Sequence, residues 1–257
     1  MVRKTLKNKP LVEAIFELRW ALQKVAPGMK IDPHYWIAVG RIDDRLQVDY
    51  PFHEQLPTAS IPNEIAGYVV QHRFRKGEGQ WPLVQLGPGI ITVNDTEGYH
   101  WADFEKRISR TIGALFEAYP GGESALKVND VVLRYINAIA FDFNQQDILA
   151  FLKQEMKTVV ELCSKLFEDT GVSKQPSGVD ARFSFASTTP RGAVHLRVVR
   201  GRIRNEDSLL WETVVQAGDE DAPKDQAGIA GWIKAAHDLA HEWFFTLIEG
   251  HLLRRFE

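Results

Sequence analysis

The side chains best suited to chemistry lie on two strand-like segments. Glu13 and Glu17 sit in Val12-Glu-Ala-Ile-Phe-Glu-Leu-Arg-Trp20, and Arg134 and Asn137 sit in Arg134-Tyr-Ile-Asn137. A guanidinium facing carboxylates can lock two strands together as a buried ion pair, or it can hold a polar ligand between the charges. The structural role is the expected one, with Arg134 pairing Glu13 or Glu17 across the centre of the molecule. In the second segment Arg134 and Ile136 face one way, and Tyr135 and Asn137 the other.

A third cluster is Trp81-Pro-Leu-Val-Gln-Leu-Gly-Pro-Gly-Ile-Ile-Thr-Val-Asn94. Gln85 and Asn94 are polar positions in apolar strands, able to bond a ligand or a neighbouring backbone. Trp81 is an aromatic that could meet a protein partner. Gly87 and Gly89 serve positive φ or a close backbone approach. The glycine spacing is not that of a phosphate loop, and no Lys-Ser/Thr follows. A tight turn with two satisfied polar groups is the plainer reading.

Two sets of arginines form a possible anion strip. Arg73 and Arg75 share one strand face, and Arg200, Arg202 and Arg204 share another. Solvated sheet faces carry such charges routinely. The net charge of −3 also argues against a general nucleic-acid binder, so nucleic acid is not favoured as a partner. His237 and His241, four apart on a helical pattern, read as boundary histidines, because a metal needs a third ligand that the spacing does not supply. No metal or cofactor is expected. Cys163 falls on an apolar stripe and reads as a small buried hydrophobe. No Gly-x-Ser-x-Gly elbow occurs, and no catalytic residue is assigned.

These side chains need a scaffold, and the pattern supplies one. Val12, Ala14, Phe16, Leu18 and Trp20 alternate with polar neighbours, which predicts a half-buried strand. Pro27-Gly28 breaks the chain, and Asp32-Pro33 is expected to open a helix with Asp32 as its N-cap. Strands are expected over 67–76, 82–86 and 90–94, then a helix from Trp101 to Tyr119 ending at Pro120-Gly121-Gly122. The order then repeats: a strand over 128–141, a helix over about 145–168, strands near 181–187, 193–204 and 208–216, and a last helix from 226 to 253.

The reading is therefore α+β, with two similar halves, residues 1–121 and 122–257. Each runs strand, helix, antiparallel meander and long helix, with the sheets covered on one side by helices. This order resembles the helix-grip arrangement of TATA-binding-protein-like and Bet v 1-like folds. The segments Pro10–Trp20, Trp81–Asn94 and Leu133–Asn137, with looser matches at Ala236-His237 and Phe244, resemble a sporadically distributed, uncharacterised bacterial family of similar chain length. That resemblance implies a bacterial protein matching over nearly its whole chain, and brings no activity with it.

The chain has 257 residues, 44% hydrophobic and 25% charged, enough for a substantial core. A single cysteine fits a reducing compartment, and neither a secretory signal nor an apolar run long enough to span a bilayer is present. A cytoplasmic protein without membrane contact is expected. Three roles stay open: a non-enzymatic binding or regulatory module acting through a protein partner or homodimer, which leads; a small-ligand binder with a cavity between sheet and long helix; and an enzyme or nucleic-acid-processing factor. The last requires Glu13, Glu17, Arg134 and His237 to converge in one cleft.

Overall fold

The computed structural model describes residues 6–96 and 98–257; Met1–Thr5, the start of the basic N-terminal stretch, and Glu97 lie outside the described residues. Helix makes up 30% and strand 33%, in a mixed α+β architecture built on one large antiparallel sheet. The alternating first segment is β1 (Leu11–Trp20), with Ala14, Phe16, Leu18 and Trp20 buried. A small hairpin follows, β2 (Gln23–Ala26) and β3 (Met29–Ile31), then α1 (Tyr35–Leu46), β4 (Phe52–Gln55), β5 (His72–Arg75), β6 (Leu83–Gly87), β7 (Ile90–Asp95) and α2 (Trp101–Ala118). After the short α3 (Gly122–Ala125) come β8 (Val128–Ala140), α4 (Ile148–Glu155), β9 (Asp180–Thr188), β10 (Arg191–Ile203), β11 (Glu206–Gly218), α5 (Gln226–Leu247) and α6 (His251–Arg254).

Nine strands form the main sheet in the order β4-β5-β6-β7-β1-β8-β11-β10-β9. β1 and β8 pair antiparallel in the middle, with Phe16 opposite Leu133 and Leu18 opposite Val131. Because side chains alternate across a strand, these four share one face. That face is covered: α1, α2 and α5 lay Tyr35, Ile42, Phe104, Ile108, Ile229 and Ile233 against it in one apolar cluster. A second cluster around Phe141, Ile148, Leu209 and Trp211 continues the core under α4 and α6. Full burial of a side chain such as Phe16 or Leu18 is worth roughly 2 kcal/mol each, so the alternation of β1 fixes which face turns inward.

The hairpin between β6 and β7 shows why its glycines are there. A side chain at Gly87 would meet the Val69 carbonyl oxygen at 2.0 Å, and Gly89 has φ +80°. The loop carrying Tyr68 and Val69 thus packs over one end of the far face of the sheet.

Several sequence expectations need correction. Asp32 is not a side-chain cap: α1 starts at Tyr35, His34 stands at the cap position without a side-chain bond, and the Asp32 carboxylate is drawn into the core. There it accepts hydrogen bonds from Trp20 Nε1 (2.9 Å), the Tyr119 hydroxyl (2.7 Å) and the His34 amide (3.0 Å). The helix expected over 145–168 ends at Glu155, and Lys157 takes φ +48°. The β-branched run Thr158-Val159-Val160 follows at once and disfavours continuation. Cys163, Val159 and Leu162 are consequently exposed rather than on a buried stripe. The last helix closes at Leu247, because Gly250 at φ +116° breaks it before α6. Strands β2, β3 and β4 were not foreseen, and the strand expected over 67–76 shortens to four residues.

Candidate functional site

The far face carries most of the polar residues singled out in the sequence. Glu54 on β4, Arg73 on β5, Gln85 on β6, Asn94 on β7 and Glu13 on β1 form a line across five strands. Arg75 Nε donates to Glu54 (3.2 Å), and Arg73 Nε donates to Gln85 Oε1 (2.9 Å). Gln85 Nε2 donates to Thr92 and Asn94 (3.3 Å each), Thr92 Oγ1 donates to Asn94 Oδ1 (2.5 Å), and Asn94 Nδ2 donates to Glu13 (2.8 Å). Asn94 is 4% exposed, and both ends of its amide are used. This network is closed on itself.

Arg134 shares that face but does not form the expected ion pair. It stands opposite Ile15, diagonal to Glu13 and Glu17, while Glu17 pairs with Arg19 at 2.8 Å. Burial pushes the Glu17 carboxyl above its usual range, against the pull of Arg19 and the weaker pull of Arg134. Arg134 therefore acts on Glu17 through its field rather than by contact. The anion strip is not assembled either. Arg200 and Arg202 pair with Asp207 (2.6 and 3.5 Å), and Arg200 stands opposite Leu209 on the covered face. Arg73 and Arg75 lie on the far face, with five strands between β5 and β10. Arg204 falls in the β10–β11 turn with φ +51°. Trp81 is exposed at the side of the sheet, its ring 5.9 Å from the Arg75 guanidinium.

Asn137 lies on the other face, and there the polar accounting differs. Where β8 passes beneath α2 and α5, the helices leave a largely apolar cleft of about 380 Å³, within the usual range for small-molecule sites. Trp101 at the start of α2 and His237 on α5 stack nearly parallel, their ring centres 3.6 Å apart. The Tyr135 hydroxyl bonds His237 Nδ1 at 2.9 Å and the Tyr99 hydroxyl at 3.0 Å, so three titratable groups form one hydrogen-bonded wall. His241 meets His237 edge-on at 5.7 Å. Lys9 stands at the mouth, its Nζ donating to the Tyr99 carbonyl at 2.5 Å.

At the floor are Asn137 on β8 and Thr213 on β11, each 3% exposed. Thr213 is opposite Tyr135 and Asn137 opposite Trp211, so the two are diagonal neighbours. Both line the cleft, and neither side chain has a hydrogen-bond partner among the described residues. Buried amides and hydroxyls are nearly always paired, because leaving one unpaired costs about 1–3 kcal/mol.

Sequence reasoning named Asn137 and set His237 and His241 aside; it missed Tyr99, Trp101, Tyr135 as a wall residue and Thr213. Tyr135 and Asn137 were placed on one strand face correctly, which was the available signal. The sheet itself separates His237 from Glu13, Glu17 and Arg134, so the convergence needed for an enzyme of that design is not formed. Among the described residues no group of three His, Cys, Asp or Glu is set to hold a metal, and no helix is long and apolar enough to cross a membrane. No family model matches the chain, and no curated protein matches it.

Proposed function

We propose that the protein is a non-enzymatic binding module whose primary site is the cleft between the centre of the sheet and the helices α2 and α5, and that it takes a small, mostly apolar molecule. The observation that carries this reading is the pair Asn137 and Thr213, each 3% exposed and without a side-chain hydrogen bond among the described residues, at the floor of a largely apolar cavity of ligand size. The test uses the neutral dye N-phenyl-1-naphthylamine with the purified full chain. Saturable binding near one equivalent, lost in a folded Ala240→Phe variant that fills the cleft, is expected. Absence of saturable binding, or binding indifferent to Ala240→Phe, would sink the reading.

Protein contact is the second reading, and β9 favours it. This strand is the nine-residue edge of the sheet, and Phe183 and Phe185 on it are 37% and 49% exposed. Such an edge presents a free backbone ladder to a partner strand, a second copy included. A concentration-dependent dimer abolished by Phe185→Lys is the expected light-scattering result; a monomer at all concentrations rejects a homodimer. Nucleic acid is disfavoured because Arg73, Arg75, Arg200 and Arg202 are already engaged by side chains of this chain.

The same proposal treats the scaffold as one motif used twice, residues 1–121 and 122–257, each of helix-grip type. Its support is the order of elements: β1 and β8 central, a run of antiparallel strands outward from each, and a long helix closing each run. Strand-on-strand superposition of β1 through α2 on β8 through α5 is the test. On this reading the cleft lies where the two long helices meet, next to the junction of the central strands. The cytoplasm remains its proposed location.

A further inference from the structure

The floor of the cleft also constrains what kind of molecule enters it. An Asn side chain offers two N–H donors and a carbonyl acceptor on adjacent atoms, and a Thr hydroxyl offers one donor and further acceptor capacity. Asn137 and Thr213, diagonal neighbours each 3% exposed, hold these functions without a side-chain partner among the described residues. Around them the surface is mostly carbon, from Leu11, Ala240, Phe244 and Phe245, with the hydrogen-bonded Tyr99, Tyr135 and His237 on one side.

Charge decides between ligand types. An ionised group at the floor would be desolvated and would need a counter-charge. Among the described residues, Lys9 is the Lys, Arg, Asp or Glu side chain that lines the cleft; it is exposed at the mouth and bonded to the Tyr99 carbonyl, and His100 lines the cleft beside Trp101. His237 presents its ring face to Trp101 and its Nδ1 to Tyr135, and His241 stands one turn further along α5. A neutral group with a donor beside an acceptor meets no such penalty and can satisfy both ends of the Asn137 amide at once.

We infer that the cleft recognises a neutral molecule through an H–N–C=O edge, as in a primary carboxamide, a lactam or an imide ring. That edge docks on the Asn137 amide, with Thr213 taking one further hydrogen bond. The apolar remainder of the ligand lies against Phe244 and Phe245. This inference rests on the cleft being a ligand site, and it names the group that the site reads.

The experiment measures displacement of N-phenyl-1-naphthylamine from the full chain by four probes: benzamide, benzoate, acetophenone and ethylbenzene. Benzamide should compete at least about tenfold better than each of the others, the worth of a satisfied buried hydrogen-bond pair. In Asn137→Leu the dye and ethylbenzene should bind as before or better, while the benzamide preference disappears. Benzoate equal to or stronger than benzamide would overturn the neutral-amide inference yet leave the ligand cleft standing. So would an amide preference that survives Asn137→Leu. Failure of the dye and of all four probes to bind would instead remove the cleft reading, and this inference with it.

Discussion

Asn94 and Asn137 are the same residue type, both nearly sealed from solvent, both on strands next to or near the middle of one sheet. They differ in what surrounds the amide. On the far face Asn94 lies in a chain running from Arg73 through Gln85 to Glu13, and every bond it can make in that line is made. On the covered face Asn137 meets an apolar hollow and makes no side-chain bond among the described residues. The first arrangement holds strands in register. The second leaves hydrogen-bonding capacity unspent, and the proposed ligand site rests on that difference.

The comparison can be pressed at several points, the strongest first. Asp32 is the covered face's own fully satisfied polar group, buried beside Trp20 and Tyr119. Asp32→Ala should lower unfolding free energy by about 4 kcal/mol, since it strands an indole N–H and a phenol O–H in the core. Chemical denaturation checks this. A loss below about 1 kcal/mol would mean that paired polar groups on this face matter no more than Asn137 does.

A smaller effect is expected from the histidine pair at the other end of the covered face. His53 Nε2 and His72 Nδ1 are 2.9 Å apart, with Asp43 at 3.7 Å from His53. Burial, helped by the neighbouring imidazole, pushes the His72 pKa down from 6.5 to about 4. The unfolded chain therefore binds more protons between those values, and stability is lost as pH falls from 6.5 toward 4. His72→Gln should flatten that slope by up to about 3 kcal/mol over the window, read from denaturation midpoints at successive pH values. An unchanged slope would place the titration elsewhere.

Glu17 carries the opposite sign. Its raised pKa means that the folded state holds the proton more tightly, so stability declines as pH rises through the carboxylate range. Glu17→Gln should raise stability at neutral pH and leave it unchanged at pH 3, read from denaturation midpoints. The least effect belongs to Arg202, which is 72% exposed: Arg202→Ala should shift stability by under about 0.5 kcal/mol.

How far the sequence reached follows from the range of each interaction. The alternation of β1, the stripe of α2 and the two roles of Gly87 and Gly89 are local, and all three were readable in order along the chain. In the segment 156–168 the apolar spacing suits a helix while Thr158-Val159-Val160 does not, and in the folded chain the helix ends at Glu155. Asp32 was read from its neighbour Pro33, whereas its partners Trp20 and Tyr119 come from distant positions. The cleft was least legible. Tyr99, Tyr135, Thr213 and His237 are spread over most of the chain, and only the meeting of α2 and α5 above β8 brings them together. Arg134 and the two glutamates were rightly placed on one face, but a strand diagonal is not a contact.

The account stands on the contrast between satisfied and unsatisfied amides, and one paired measurement addresses it. Asn94→Leu and Asn137→Leu replace each amide with an apolar group of similar shape, and urea unfolding reports the cost. Asn94→Leu should destabilise by about 2 kcal/mol, because Glu13 and Gln85 lose their partner. Asn137→Leu should leave stability unchanged or raise it by about 1 kcal/mol, since an unpaired buried dipole is removed. Equal losses in the two variants would contradict the account, for Asn137 would then be holding the fold together rather than waiting for a ligand.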